Sequence, residues 1–515
     1  MAYQVRKHEA KQQLEFSDNT GGINISREPD KIADNECVDA TNFQFNFYSG
    51  KFCTRPAIDN PIDTETEPIT CLWYDASTRI TFFFVGRNGQ KKTIKMLNGA
   101  GNITVLGKTS GTIDKPKCLN FGGNVFFASG RKLQAYLMQP PPWLVSQRNK
   151  LVTLDGSSVA GGTLNNSPNV DVLYYKSGRL VCAAGGDDTI YYSAVGDALS
   201  EKAIGVDYDD PDDESSAKYI QNVGADDAGK FLTIVPMSTD IVVFKTSGNV
   251  YTISGEAPNW YISLVGTNSD AVGANAIVPF ANDIAFVSTQ GLRKLTNSAT
   301  YGNYSTEEFG QKCNPSIMDG VSNPWISDLR DRRQMVIAKN NYDDIYVFHY
   351  NLGAFTKWNF NNITVNDMAE TQNGVLTCGE HDGQGFLAYL NDDIVQDFNT
   401  TPINQSYTSR VIHDYDLLNS HINNVNISTS MGNDNTVVSC NGNVFATLDS
   451  NTTTKHVRSQ IRGETLQYSL STTNRINLEH LSATVIQSVD GSGARNNGNT
   501  GQWTSLADAI NSRRF

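Results

Sequence analysis

The chain is short of charge. Lys, Arg, Asp and Glu make up only 18% of its 515 residues, against roughly 25% in an ordinary soluble domain, which excludes long charge-laced helices and a polyampholytic coiled coil. Cations are the scarcer sign: 41 Lys and Arg against 54 Asp and Glu leave a formal net charge of −13. A protein that grips nucleic acid over a wide face needs clustered Lys and Arg for the phosphates, so that class is excluded. A mainly repulsive wall, past which DNA slides without adhering, is compatible with the same balance. No stretch approaches 18 apolar residues and the opening MAYQVRKHEAKQQLEFSD lacks an apolar core, so neither stable membrane insertion nor a secretory signal is expected. Eight cysteines, at 37, 53, 71, 118, 182, 313, 378 and 440, include no CxxC pair. They read as separate, mostly buried thiols of a protein made in reducing cytoplasm.

Catalytic signatures are missing as well. The sequence holds no GxSxG elbow, HExxH helix, Walker glycine loop or GxGxxG unit, and its seven histidines are scattered. His381 beside Asp382, and His413 beside Asp414, are not automatic dyads, because neighbours on a strand point to opposite faces. The expectation is a protein that is not an enzyme and needs no cofactor or metal. The acidic run Asp207, Asp209, Asp210, Asp212, Asp213 and Glu214 has oxygen ligands for a hard cation. It lacks the Gly and Glu spacing of an EF-hand loop and is broken by Pro211, so it reads as an exposed loop or a lumen-facing acidic patch.

What the chain has in abundance is turn residues, 42 Gly among them with many Asn, Ser and Thr. Between about 69 and 390, short apolar segments such as ITFFFVGRNG, DIVVFKTSGNVYTISG and DIYVFHYNLGAFTKW alternate with Gly, Asn or Asp, and no period-3.6 pattern continues for three turns. LTIVP at 232–236 and NAIVP at 275–279, Ile241–Phe244 and Ile284–Val287, and Gly248 and Gly291 repeat 43 residues apart. That is the size of a propeller blade. The fold class predicted is all-β: an irregular β-propeller of about six or seven blades with a second β-rich platform domain. A large β-sandwich or several small barrels is the alternative. The domains expected are an N-terminal clasp at 1–60, the propeller at 61–390 with an acidic insertion at 201–230, and a C-terminal platform at 391–515. The insertion holds nine acidic residues against three lysines, about half of the net charge. PPPW at 140–143 reads as a rigid turn, and the last twenty residues as ending in a short amphipathic helix.

Phe43, Phe45 and Phe47 alternate as on a half-buried strand, and Arg330, Arg332 and Arg333 with Asp331 form a compact cationic island. The phenylalanines read as core or as candidate subunit contacts, since a base-stacking surface would want interleaved cations, and the arginines as a candidate subunit-contact or solvent loop, with phosphate contact the lesser alternative.

GGIN at 21–24, REPDKIADNECVDATNFQF at 27–45, GKFCTRP at 50–56, and the paired strands TDIVVFKTSGNVYTIS and NDIAFVSTQGLRKLT at 239–254 and 282–296 are phrases that resemble the tail nozzle proteins of short-tailed bacteriophages, also called tail tubular protein B or tail hub. The resemblance is close over 19–60 and 230–300 and one of texture elsewhere. It implies a virion structural protein, made in the host cytoplasm, assembling as a homo-oligomeric ring of six copies below a portal-proximal adaptor ring. Tail fibre or spike proteins would attach nearby, and double-stranded DNA would pass through without sequence recognition. On that reading the 207–214 carboxylates are candidate channel-lining or gate residues. The alternatives are a receptor- or carbohydrate-binding tail protein and a propeller glycoside hydrolase, whose paired carboxylates have no sequence signature.

Overall fold

The computed structural model describes residues 9–15, 18–46, 49–224, 226–297, 304–339, 344–413, 420–430, 436–448, 454–458, 465–473 and 477–488. The expected C-terminal amphipathic helix lies outside them. The described chain is all-β, with one short α-helix, Asn314–Met318, and three 3-10 turns, one of them Pro142–Gln147 at the PPPW segment.

Seven antiparallel meanders follow one another along the chain: sheet 1 over 69–108, sheet 2 over 117–153, sheet 3 over 172–220, sheet 4 over 231–266, sheet 5 over 277–308, sheet 6 over 325–359 and sheet 7 over 364–391. The alternation inside single strands explains why they stack. In Ile80–Val85, Phe82 and Phe84 pack with Val125 and Phe127 of sheet 2, while Phe83 and Val85 pack with Leu376 and Leu387 of sheet 7. Successive strand residues point to opposite faces, and here both faces are covered, so the strand is apolar throughout. Each fully buried Phe contributes on the order of 2–3 kcal/mol. The 43-residue repeat has the same origin. Ile241 and Val243 face sheet 3 and Val242 and Phe244 face sheet 5, just as Ile284 and Phe286 face sheet 4 and Ala285 and Val287 face sheet 6.

Apolar clusters fill the gap between each sheet and the next, and one lies between sheets 7 and 1. The first strand of each sheet lies against the first strand of its successor, and the first strand of sheet 7, Thr364–Thr371, lies against Ile69–Asp75 of sheet 1. The outer strands of sheet 7 come from the other end of the chain: Asp63–Glu65 and Ala57–Ile58 both pair antiparallel with Gln384–Asn391. A boundary drawn at 60/61 thus cuts between two strands of one sheet.

The remaining strands extend sheet 6. Its fourth strand, Ala354–Asn359, is continued in parallel by Glu36–Thr41 through Thr41 and Lys357, and then by Gln405–Ser409, Tyr468–Thr472, Thr436–Cys440 and Asn443–Leu448. A further sheet joins Phe43–Phe45 and Phe52–Thr54 to Asn477–Ser488, Ser420–Ser430, Glu9–Glu15 and Thr454–Arg458. N-terminal and C-terminal segments therefore form one layered body, and its core is continuous with that between sheets 5 and 6.

Candidate functional site: the platform joint

The point where this body meets sheets 6 and 7 is organised around a buried arginine. Arg55 is 1% exposed and Asp397 0% exposed. Nη1 donates to Asp397 Oδ1 at 3.0 Å and to Pro56 O at 2.8 Å, Nη2 to Asp397 Oδ2 at 2.5 Å and to Asn359 O at 3.2 Å, and Nε to Asn42 Oδ1 at 2.9 Å. All five guanidinium donors are thereby used, and the cation lies 4.0 Å from the centroid of the Phe360 ring. Asp397 also accepts the Ile58 amide at 2.8 Å. A charge out of water is stable only when paired and hydrogen-bonded, and here one fork ties the N-terminal turn, the outer strand of sheet 6 and the segment after sheet 7.

Asn42 is the second member. It holds φ +62°, a conformation Asn tolerates better than most residues. Its amide donates to Lys357 O at 2.6 Å, its Nδ2 to Asn404 O at 2.6 Å, and its Oδ1 also accepts the Asn359 amide at 2.7 Å. Gly22 is the third: it sits at φ +66°, and a Cβ there would lie 2.5 Å from Phe355 O. Asn24 donates to Glu36 Oε2 at 2.7 Å, and Glu36 takes Lys312 at 3.0 Å. Burial raises the Glu36 pKa, but hydrogen bonds from the Ala33 amide, Asn24 and Lys312 outweigh it and hold the carboxyl below its ordinary value.

Above this joint lies an open polar cleft of about 560 Å3 bordered by Asn359, Asn361, Asn362, Thr401, Asn404 and Thr473. At one end of the first strands, Lys115 Nζ donates to Asn366 O at 2.6 Å, pairs with Asp367 at 3.4 Å and stands 4.5 Å over the Trp325 ring. Sheets 2, 6 and 7 meet there.

Phe43 and Phe45 are buried in the chain's own core against Phe52, at ring centroid distances of 5.5 and 4.7 Å. Rings so enclosed leave no surface for another subunit, which corrects the expectation for these two. Phe47 lies outside the described residues. The cationic island has internal partners: Arg330 pairs with Asp328 at 2.8 Å, Arg332 with Asp392 at 2.7 Å, and Arg333 donates to Asn351 Oδ1 at 3.1 Å. Asp392 also accepts Gln44 Nε2 at 3.0 Å, so Arg332 fastens the same body to sheet 6.

Asp207, Asp209, Asp210, Asp212, Asp213 and Glu214 are all exposed, in the loop joining the two outermost strands of sheet 3, Ile190–Tyr192 and Lys218–Ile220. Lys218 holds Asp209 at 2.7 Å, and Arg179 donates to the carbonyls of Ser193 and Ser216, each at 2.6 Å, and of Glu214. Hydrogen bonds from the Ser215 hydroxyl and amide hold Asp213 below its ordinary value. Among the described residues no group of three or more His, Cys, Asp or Glu is arranged to hold a metal. None of the described helices is long and apolar enough to cross a membrane. Six of the eight cysteines are buried; burial pushes Cys71 and Cys182 up to about 12.

Sequence reasoning missed Arg55 and Asp397, which are 342 residues apart. The only local signal was an arginine before a proline in an otherwise apolar turn.

No protein-family model matches the chain and no curated protein matches it. Among solved structures, the N-terminal domain of Nup159 is 8% identical, with 69% of this chain and 100% of that chain covered at a TM-score of 0.38. The Pan2 WD40 domain of Neurospora crassa is 10% identical, with 64% and 90% covered at 0.39, and BBS1N in complex with ARL6DN is 11% identical, with 66% and 99% covered at 0.39. The all-β, multi-sheet architecture rests on the chain's own strand pairings.

Proposed function

We propose that the chain is a structural subunit of a short-tailed phage tail: a closed seven-bladed propeller locked to a platform, assembled as a ring around the DNA-ejection channel. The observation that carries this reading is where the resembling phrases fall. Gly22, Asn24, Glu36, Asn42, Phe43 and Arg55 all belong to GGIN, REPDKIADNECVDATNFQF or GKFCTRP, and together they build the joint between sheets 6 and 7 and the platform. A sequence signature spent on a rigid joint, with all five guanidinium donors of Arg55 satisfied, fits a load-carrying subunit. Closure into seven blades is supported by the apolar cluster between sheets 7 and 1 and by the N-terminal strand that completes sheet 7. Seven stacked sheets leave only their outer strands as edges.

Six copies would enclose the channel by cyclic symmetry, with an adaptor ring on one side and fibres or spikes at the rim. The net charge of −13 suits a wall that does not retain DNA. The 207–214 carboxylates sit at the outer edge of sheet 3, away from the first strands, which favours a rim contact over a gate. Particles assembled without this chain are expected either to lose their packaged DNA or to fail to deliver it. Fully infectious particles lacking it would contradict the proposal.

A further inference from the structure

The outer strands of the seven sheets differ in how they are protected. Those of sheets 2 and 3 are three residues long, that of sheet 5 carries Glu307 and Glu308, and that of sheet 1 is bulged and ends in Lys108. Sheet 6 is continued by Glu36–Thr41, and sheet 7 is edged by Asp63–Glu65. Shortness, charge, bulges and covering are the usual means of blunting an edge. Sheet 4 shares only the bulge, one extra residue at Val265 near the end of its last strand, and has none of the other three. Its last strand, Asn259–Gly266, is eight residues long, NWYISLVG, without one charge. Its inner side pairs with Val250–Glu256, and among the described residues no strand pairs with its outer side. Tyr261 is 72% exposed, Leu264 54% and Ile262 39%.

The acidic loop is its neighbour. Trp260 packs on Tyr192 with ring centroids 5.1 Å apart, Tyr192 is in register with Lys218, and Lys218 binds Asp209. Arg179 lies within electrostatic reach of Asp213 and Asp209 on the loop and of Glu256 on the hairpin leading to the strand. An open apolar edge and six exposed carboxylates thus share one rim.

We propose that Asn259–Gly266 is a docking edge for an extended segment of a partner protein, one that adds as a strand and carries Lys or Arg toward the 207–214 loop. Strand addition supplies main-chain hydrogen bonds, and alternate side chains of the added strand supply selectivity. A second copy is disfavoured as the occupant, because edge-to-edge pairing would bring two loops of six carboxylates onto one combined sheet, whereas a basic strand is drawn in. This inference does not rest on the tail reading.

The test uses the full chain and two fluorescein-labelled octapeptides, one alternating isoleucine with lysine and one alternating isoleucine with glutamate, titrated by anisotropy at low salt. The lysine peptide should bind saturably, slow amide exchange across 259–266, and weaken as salt rises. The double variant Ile262→Lys, Leu264→Lys should reduce its affinity about tenfold or more, a change of about 1.4 kcal/mol. The loop variant Asp212→Asn, Asp213→Asn, Glu214→Gln, confined to exposed side chains, should weaken the lysine peptide with an unchanged melting temperature. Absence of saturable binding, equal binding of the glutamate peptide, or equal binding to the edge variant would overturn the proposal. So would a wild-type dimer that the edge variant dissociates, which would make a second copy the occupant.

Discussion

Arg55 concentrates the energetics of the joint in one side chain. Removing one partner of a buried pair strands the other charge, at a cost of about 3–5 kcal/mol. Arg55→Met and Asp397→Asn should each lower unfolding free energy by that order in urea titrations, and the double variant should cost less than the sum of the singles. Gly22→Ala tests the backbone: with φ +66° and Phe355 O in the way, it should lower the melting temperature clearly. Gly383→Ala, at φ +78° with nothing within 4 Å, should lower it less. His349 adds a pH dependence. Burial pushes its pKa down to about 3 from an ordinary value of 6.5, and it shares a hydrogen bond with Thr356 at 2.9 Å. Between pH 6.5 and 3 the unfolded chain binds the proton that the folded chain refuses. Its contribution is therefore full above pH 6.5 and lost as pH falls, with a slope approaching ~1.4 kcal/mol per pH unit. His349→Gln should flatten the acid limb of a stability-against-pH curve; an unchanged slope would remove His349 as its source.

At the scale of elements, the strands were the legible part. Turn residues between short apolar runs, and a register repeating every 43 residues, follow directly from sheets buried on both faces, and sheets 4 and 5 carry that register residue by residue. Pairings between distant segments were not legible. Nothing local in Asp63–Glu65 announces that it edges Gln384–Asn391, because an antiparallel partner is chosen by side-chain fit and not by a motif. The period-2 Phe pattern at 43–45 was equally readable as core or contact, and only the neighbouring Phe52 and Tyr407 decide it. Lys95 bridges to Asp63 at 3.4 Å and to Glu65, so Asp63→Lys with Glu65→Lys should loosen that edge. Hydrogen exchange should quicken across 384–391 and stay unchanged in sheets 3 to 5; uniform quickening would mean that the strand stabilises all seven sheets together.

At the scale of the molecule, the same features converge on a rigid body with a patterned rim. Seven sheets pack one against the next, the seventh against the first, and join the body built from both chain ends through the saturated Arg55, while about half of the net negative charge sits in the mostly exposed 201–230 stretch beside an open edge. Of the joint, GGIN and GKFCTRP stood out in the sequence only as phrases of a family resemblance, and nothing near them revealed that Asp397 completes Arg55, since the partner lies beyond all seven sheets. The acidic run was legible as exposed, but its place at the outer edge of sheet 3 depended on which strands it joins. We propose that this body is a ring subunit of a phage tail, and its position in the particle decides the matter. Electron cryomicroscopy of the intact particle tests it most directly. Six copies are expected around the tail axis, each with seven stacked sheets, the platform toward the channel, and density of another protein along Asn259–Gly266. A particle in which this chain lies off the axis, or forms no ring, would contradict it.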